Sequence, residues 1–271
     1  MPLNSLRCKV LLSLFCIAFI ACAAAASDNG DSLDAILVPV AFRPNVEVQG
    51  AFGTRWRGEV WIHNGSAGEV DIQQVLHCPI DTCPAIYPAG YIGPIDLPLD
   101  DRPDGAVMLY PNNLDAKSLI ISNRIFEISR RSQPQGIEIP IVHERDFLTG
   151  PATYLGIPSN SAVRAALRVY DPRLLPGTTQ PGVTVRVEVL NDAGAVVATG
   201  TLQTVLETSA RQGVARAGFV AIYDVANVFP IVKTLTRYHL RLTPTETGRE
   251  YWAMVSVTDN DTQQVLTITA Q

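Results

Sequence analysis

Two cysteines in the stretch HCPIDTCP are the residues best placed to do chemistry. Cys78 and Cys83 are five positions apart, with His77 and Asp81 beside them. Five extended steps cover roughly 16 Å, whereas a disulfide needs α-carbons about 4.4–6.8 Å apart, so the segment must fold back for a bridge to form. A zinc site would need a fourth ligand, and a redox pair favours two intervening residues at a helix start. A structural bridge, a metal site and free thiols are the three alternatives.

Residues 1–26 predict that the chain is exported. Arg7 and Lys9 precede an apolar run, VLLSLFCIAFI, and small residues then offer a cleavage site after Ala26. This order of basic, apolar and small residues is that of a secretory signal peptide. The apolar run is too short to remain in a bilayer as a spanning helix. We therefore expect an extracellular, periplasmic or cell-surface protein.

Export favours one of the three cysteine alternatives. Cys78 and Cys83 are the cysteines of the body that follows the signal. Two thiols in an oxidising compartment form a bridge that persists, so we predict a structural Cys78–Cys83 disulfide. Cys22 ends the residues FIAC, which partly resemble a bacterial lipid-attachment motif. Cys22 is therefore a candidate for lipidation, and a lipid anchor is the one membrane attachment that the sequence suggests.

The charge of the mature chain limits its partners. Removing the signal leaves 245 residues with 19 basic and 26 acidic side chains, a net charge of −7. Nucleic acid and anionic membrane surfaces demand a basic patch, so this acidity argues against both. No stretch after the signal is long and apolar enough to cross a membrane. The expected partner is an unidentified protein or glycan.

Short alternating segments predict an all-β fold. VTVRVEVL (183–190) places valines on one face and polar residues on the other, and NDAG (191–194) supplies a hairpin turn. Similar segments continue to the C-terminus, and only YDVANVF (223–229) favours a short helix. Many short strands separated by turns are typical of an antiparallel β-sandwich.

Four segments recur in the same order and predict a duplication. AILVPVAFRP (35–44) is similar to IEIPIVHERD (137–146), and WRGEVWIHN (56–64) is similar to VRAALRVYD (163–171) at an offset of 107. EVDIQQV matches VTVRVEV loosely, and SLIISNRIFEIS matches YWAMVSVTDNDT. The chain is therefore expected to form two tandem antiparallel β-sandwiches after the signal peptide, with the units at 33–135 and 136–271. Pro39 and Pro140, inside the opening strands, should lie at a sheet edge or a bulge because proline lacks an N–H.

The same ordered segments, together with HCPIDTCPAIYPAG, resemble a group of exported bacterial proteins that carry tandem immunoglobulin-like β-sandwich units. The resemblance covers nearly all of the mature chain. It implies an immunoglobulin-like fold and an exported location. It implies no catalytic residue, because no activity is established for the group.

One tryptophan lies on the face of its strand where polar residues are expected. In WRGEVWIHN, Trp56, Val60 and Ile62 alternate with Arg57, Glu59, Trp61 and His63. The first set matches the apolar face of the second copy, so Trp61 should point away from the core. An indole on that face can contact the neighbouring unit, bind a sugar or peptide by stacking, or be exposed singly. We therefore select Trp61, with Arg57 and His63, as candidates for a ligand or interdomain contact.

The acidic segments offer a weaker case for catalysis or metal binding. HERD (143–146) carries Glu144 and Asp146, and DLPLDDRPDG (96–105) and DNDT (259–262) carry further acids. Paired carboxylates can hydrolyse glycosides, and acidic loops can bind calcium, but neither spacing fits an established calcium loop. We therefore expect no catalytic residue, metal or cofactor. The predicted function is a non-catalytic structural or binding module that presents sheet faces and loops to a protein or glycan; the alternative is a secreted, glycosidase-like hydrolase.

Overall fold

The prediction of an all-β protein is confirmed. A computed structural model describes residues 34–42, 46–73, 85–95, 105–112, 118–130, 135–175, 178–206 and 217–271. In chain order its strands are β1 (Ile36–Ala41), β2 (Val48–Gln49), β3 (Arg55–Asn64), β4 (Val70–Gln73), β5 (Ala85–Tyr87), β6 (Ile92–Pro94), β7 (Gly105–Asn112), β8 (Leu119–Glu127), β9 (Ile137–Ile139), β10 (Val142–His143), β11 (Ala152–Pro158), β12 (Val163–Asp171), β13 (Thr184–Leu190), β14 (Val196–Gln203), β15 (Gly218–Ile222), β16 (Arg237–Pro244), β17 (Trp252–Asp259) and β18 (Val265–Ile268).

The strands form four antiparallel sheets. Sheet I has the order β10-β1-β7-β4-β5, and sheet II has the order β2-β3-β8-β9 with β6 also paired to β3. Sheet III has the order β11-β16-β13-β14, and sheet IV has the order β15-β12-β17-β18. We call β1–β10 the first half of the protein and β11–β18 the second half. Asp34–Gln271 forms one compact unit.

Helical structure in the described part of the chain is short. The helix α1 (Val225–Val228) lies within the segment for which the sequence predicts a helix. The Asp224 carboxylate accepts a hydrogen bond from the Ala226 N–H at 3.0 Å and caps its first turn. Single 3-10 turns occur at Ala51–Gly53, Glu144–Asp146 and Pro230–Thr234. Among the described residues, no helix has the length and apolar character needed to cross a membrane.

The alternation in β13 positions the core as expected. Val185, Val187 and Val189 are buried in one apolar cluster, and Arg186 lies exposed on the opposite face. Glu188 shares that face but is covered, because Arg186 and Arg241 both bind its carboxylate. The hydrogen bond from Arg241 is the main reason that the pKa of Glu188 lies below its usual value.

Three apolar clusters hold the sheets together. The N-terminal core lies between sheets I and II, and the C-terminal core lies between sheets III and IV. A third cluster, the junction core, joins the two halves. It consists of Ala35, Leu37, Val40, Phe42, Val48, Ala106, Met108, Ile125, Ile137, Ile139, Val142, Phe147, Tyr170, Ala217, Trp252 and Met254.

Strands β1, β7 and β17 are buried on both faces because each contributes to two cores. In β1, Ile36 and Val38 lie in the N-terminal core, and Leu37 lies in the junction core. In β17, Ala253 and Val255 lie in the C-terminal core, while Trp252 and Met254 lie in the junction core. The apolar character of both faces of these strands thus follows from the contact between the halves.

The bulge expected at Pro39 is present. The register between β1 and β7 shifts between Val38 and Ala41, and Val40 has a φ of 49°. A β-branched residue in this left-handed region is strained. The Asn123 amide N–H donates a hydrogen bond to the Pro39 carbonyl at 2.6 Å, which fixes the bulge in place. Pro140 instead lies between β9 and β10, where the chain passes from sheet II to sheet I.

The strand pairing differs from the sequence-based assignment at the start of the second unit. Ile137–Ile139 pairs with β8, and Val142–His143 pairs with β1, so both complete sheets of the first half. The sequence reading placed these residues at the start of the unit 136–271, as the counterpart of 35–44. In the fold, β10 lies beside β1 in sheet I, whereas β9 lies in sheet II. The division into two units itself stays a prediction.

Buried tyrosines make the stability of this fold sensitive to alkaline pH. Burial raises the pKa of Tyr110 and of Tyr251 to about 12 and also raises the pKa values of Tyr154 and Tyr238. The Tyr154 hydroxyl donates to the Ala253 carbonyl at 2.8 Å, so its neutral form is the one that the fold stabilises.

We expect the free energy of unfolding to fall as the pH rises from about 10 towards 12, since an unfolded tyrosine loses its proton near pH 10. Each buried tyrosine contributes up to ~1.4 kcal/mol per pH unit in this window. Urea unfolding at several pH values, with tyrosinate absorbance followed in parallel, measures the effect. Tyrosinate formation by all tyrosines near pH 10 in the folded protein would contradict it.

Candidate functional site

The residues selected from WRGEVWIHN lie on one open sheet face. In β3, Arg57 is paired with Phe126 of β8, and Trp61 is paired with Ser122 of β8 and Pro94 of β6. Residues directly opposite each other in antiparallel strands project from the same face. We call this surface the Trp61 face; it consists of Arg57, Glu59, Trp61, His63, Ile92, Pro94, Ile120, Ser122, Arg124 and Phe126.

One end of the Trp61 face is apolar and unusually open. Trp61 is 43% exposed, Ile92 is 68% exposed and Ile120 is 60% exposed. Ile92 and Ile120 are both paired with His63, so they flank it from the two neighbouring strands. Large apolar side chains gathered on one exposed surface are typical of interaction sites, whereas scattered single ones are not.

The other end of the Trp61 face is charged and ordered. The Arg57 guanidinium contacts a Glu59 oxygen at 3.1 Å and lies 5.7 Å from the centre of the Phe126 ring. The Trp61 indole N–H donates to the other Glu59 oxygen at 3.3 Å. Glu59 therefore connects Arg57 to Trp61, and the indole is held with its ring available to a partner.

Contact between the two halves is made by other aromatic residues. Tyr170 and Trp252 lie in the junction core, with ring centroids 5.8 Å apart, whereas Trp61 is not a member of that cluster. Trp252 is buried, with 7% of its surface exposed. Of the three alternatives for Trp61, its position is compatible with ligand binding and with simple exposure.

The acids of HERD are tied into an ion-pair network instead of an open pair. The Glu144 carboxylate binds Arg173 of the second half and accepts the Ala35 N–H at 3.3 Å. Arg173 also binds Glu250 at 2.5 Å, so it bridges two carboxylates. Asp146 is exposed. The network links the two halves and gives Glu144 a binding role within the fold.

The first described residue completes this network. Asp34 accepts the Glu144 N–H at 3.0 Å, contacts Nδ1 of His143 at 2.7 Å and pairs with Arg145 at 3.1 Å. His239 lies elsewhere, where its Nδ1 accepts the Gly156 N–H at 2.9 Å. The HERD acids therefore do not face His239. The acids at 96–104 and His77 lie outside the described residues.

Several other sequence predictions also fall outside the described part of the chain. These are the signal segment 1–26, Cys22, and the Cys78–Cys83 bridge, all of which stay predictions. Within the described residues, no group of three or more His, Cys, Asp or Glu side chains is placed to hold a metal ion.

The acidic turn DNDT is built around Asp259. One Asp259 oxygen accepts the N–H groups of Asp261 at 3.0 Å and Thr262 at 2.7 Å, together with the Thr262 hydroxyl at 2.9 Å. The backbone hydrogen bond from Thr262 is the largest cause of the lowered pKa of Asp259. This carboxylate therefore closes the turn.

A cleft between the halves is the feature that sequence reasoning missed. Its volume is about 1040 Å³, and its lining comes from both halves, with Phe42 and Trp56 on one side and Arg164 and Arg168 on the other. Along β12, Arg164 and Arg168 alternate with Ala165, Leu167 and Val169, which lie in the C-terminal core. What covers the face with the two arginines depends on how the halves pack, and no local sequence pattern encodes this.

The chain matches no protein family model, no curated protein and no solved structure. Its functional assignment rests on its own residues.

Proposed function

We propose that this protein is an exported, non-catalytic binding module of two tandem immunoglobulin-like β-sandwiches, and that its Trp61 face binds a protein partner. The observation that carries the proposal is the open apolar group of Trp61, Ile92 and Ile120 on one sheet face. Its exported location and immunoglobulin-like character rest on the signal segment and on the resemblance described above.

The order of strands supports a tandem arrangement. Sheet I contains β1-β7-β4-β5 and sheet III contains β11-β16-β13-β14, and both have the order 1-6-3-4 when each half is numbered from its own start without the two-residue strand β2. The second sheet of each half matches in the same way. The pairing β6-β3-β8-β9 in the first half corresponds to β15-β12-β17-β18 in the second half. By this criterion β11, and not 137–146, is the counterpart of β1.

Two pairs of capping residues support the same arrangement. Asn64 ends β3 and accepts the Ser66 N–H at 3.0 Å, and Asp171 ends β12 and accepts the Arg173 N–H at 3.0 Å. In each half, an acid closes the turn after the strand that pairs with this one. Glu127 accepts the N–H groups two and three positions ahead, at 3.1 Å and 2.8 Å, and Asp259 does the same at 3.0 Å and 2.7 Å.

The equivalent face of the second half is already in use as a docking surface. At the offset of 107, Trp61 corresponds to Arg168 and His63 corresponds to Tyr170. Tyr170 is fully buried, and it lies against the first half in the junction core. The same face thus binds another β-sheet in one half and is open in the other. This precedent supports a partner with an apolar, sheet-like protein surface.

The composition of the open face favours protein over glycan. An exposed tryptophan beside charged residues suits either partner, since sugars stack on aromatic rings and tryptophan is a frequent hot spot of protein interfaces. Ile92 and Ile120 are branched aliphatic side chains, which pack against other apolar side chains. The experiment must therefore distinguish a protein partner from a glycan.

Trp61→Ala is expected to weaken partner binding by at least about tenfold, because buried tryptophans commonly dominate interface energies. The matched control is Leu266→Ala, which removes an exposed apolar side chain from β18 in the second half. Mature protein carrying a photo-crosslinking group at position 122 is incubated with the exported proteins of its host, and the crosslinked partner is then titrated against each variant.

The supporting result is a partner that is crosslinked through position 122 and binds the control variant as tightly as the wild type, but not Trp61→Ala. A partner that binds Trp61→Ala equally well rejects the proposal. A glycan array in which binding is lost only in Trp61→Ala assigns the face to a sugar. Sedimentation that shows Trp61-dependent dimers assigns it to a second copy of this chain. Either assignment overturns the proposal of a different protein partner.

A further inference from the structure

The cleft between the two halves has the size of a ligand site. Its volume of about 1040 Å³ lies at the upper end of the range that small-molecule sites occupy. It lies beside the junction core, and its lining includes exposed residues such as Asn160, Tyr223 and Lys233, which border solvent. A ligand could therefore enter without separation of the halves.

One side of the cleft is apolar and packed against the junction core. Phe42, Val48 and Trp56 of the first half line it, and Phe42 and Val48 belong to the junction core. The Trp56 indole N–H donates to the Thr54 hydroxyl at 2.9 Å, which fixes the ring orientation. This wall can bury the apolar body of a ligand without first rearranging.

The other side of the cleft carries cations. Arg164, Arg168 and Lys233 line it, and Asp224 is the acidic residue among the lining side chains of the described chain. The lining thus has a net charge of +2, whereas the whole chain has a net charge of −5. A positive cleft in an acidic protein concentrates anions locally.

The two arginines are held by neighbouring side chains. Arg164 donates to the Asn260 amide oxygen at 2.8 Å and to the Gln263 amide oxygen at 2.8 Å. Arg168 donates to the Ser256 hydroxyl at 3.1 Å. Partial burial is the main cause of the lowered pKa of Arg164. An anion bound beside the guanidinium groups would offset that desolvation.

Backbone strain coincides with the same cavity. Val40, the β-branched residue with a φ of 49°, lines the cleft. Strained residues persist only where the surrounding structure imposes them, and they cluster at ligand sites. The bulge interrupts the regular strand β1 at this point, and the Val40 side chain forms part of the cleft lining.

We propose that this cleft binds an amphipathic organic anion. Its apolar body packs against Phe42, Val48 and Trp56, and its carboxylate or sulfonate head is bound by Arg164 and Arg168. The site is separate from the Trp61 face and does not depend on the function proposed for that face.

Isothermal titration of the mature protein with dodecanoate tests the proposal. Acetate tests the head alone, and dodecyltrimethylammonium tests the apolar chain with the opposite charge. We expect dodecanoate to bind with one site per chain and both comparison ligands to bind at least about tenfold more weakly, because charge-assisted hydrogen bonds are among the strong ones. Equal binding of the two long-chain ligands, or no binding of dodecanoate, overturns the proposal.

Substitutions then locate the site. Arg168→Met and Lys233→Met should each weaken dodecanoate binding, and Arg168→Met by at least about tenfold, since it removes a donor to the head group. The matched control is Arg237→Met, which removes an exposed arginine on β16 that is not in the cleft lining. Thermal melting verifies that each variant is folded. Unchanged affinity in both cleft variants, or lost affinity in Arg237→Met or Trp61→Ala, places the anion elsewhere and overturns the proposal.

Discussion

Asp171→Ala is expected to lower the free energy of unfolding by about 3–5 kcal/mol, the usual cost of removing one partner of a buried ion pair. Asp171 is fully buried at the end of β12. One carboxylate oxygen accepts the N–H groups of Arg173 and Leu174, both at 3.0 Å. The other accepts the Val183 N–H at 2.8 Å and pairs with Arg249 at 3.2 Å. Alanine would leave these donors without their acceptor.

Urea unfolding near neutral pH measures this loss, and Asp192→Ala is the matched control. Asp192 pairs with Arg237 at 2.8 Å on the surface, where an ion pair contributes about 1 kcal/mol or less. A cost for Asp171→Ala no greater than that for Asp192→Ala would show that the carboxylate does not organise the turn. Arg249→Met provides a second check, since it removes the cation but keeps the Asp171 carboxylate that accepts the backbone N–H groups.

Trp252→Ala is expected to destabilise the protein by about 3–5 kcal/mol, as large-to-small changes of buried aromatic residues do. Trp252 packs against Tyr170, and Tyr170 in turn stacks on Phe219 with ring centroids 6.2 Å apart. The packing lost in this variant is part of the contact between the halves. We therefore also expect calorimetry to resolve two unfolding transitions where the wild type shows one.

The comparison for Trp252→Ala is Trp61→Ala, which changes the same residue type on an open face. Its cost should be below about 1 kcal/mol, because surface substitutions away from the core have small effects. Equal destabilisation by the two changes would contradict the assignment of Trp252 to the junction and of Trp61 to a binding surface.

Local patterns predicted much of this fold. Period-two alternation located β12 and β13 and placed Trp61 on the face away from the core. The missing N–H of Pro39 predicted its bulge, and the segment around Asp224 gave the short helix. Each of these features is determined by a few neighbouring residues, so the sequence carries the signal within a short window.

The remaining features depend on contacts between distant segments. The sequence could not show that β10 adds to β1, because Ile36 and His143 are brought together only when the sheets assemble. Nor could it show that Arg164 and Arg168 border a cleft, since the opposite wall belongs to the other half. The similarity between 35–44 and 137–146 therefore predicts equivalence in a duplication, whereas in the fold β10 lies beside β1 in sheet I and β9 lies in sheet II.

The route of the chain through β9 and β10 has a consequence for any genetic dissection of this protein. A fragment that stops at residue 135 would lack the strands that complete β8 and β1, and it would expose two unpaired backbone edges. Such edges recruit other chains and promote aggregation. The smallest fragment of the first half that keeps all of its strands paired therefore extends past His143. Recombination between genes would transfer the first half intact only if the break falls after that residue.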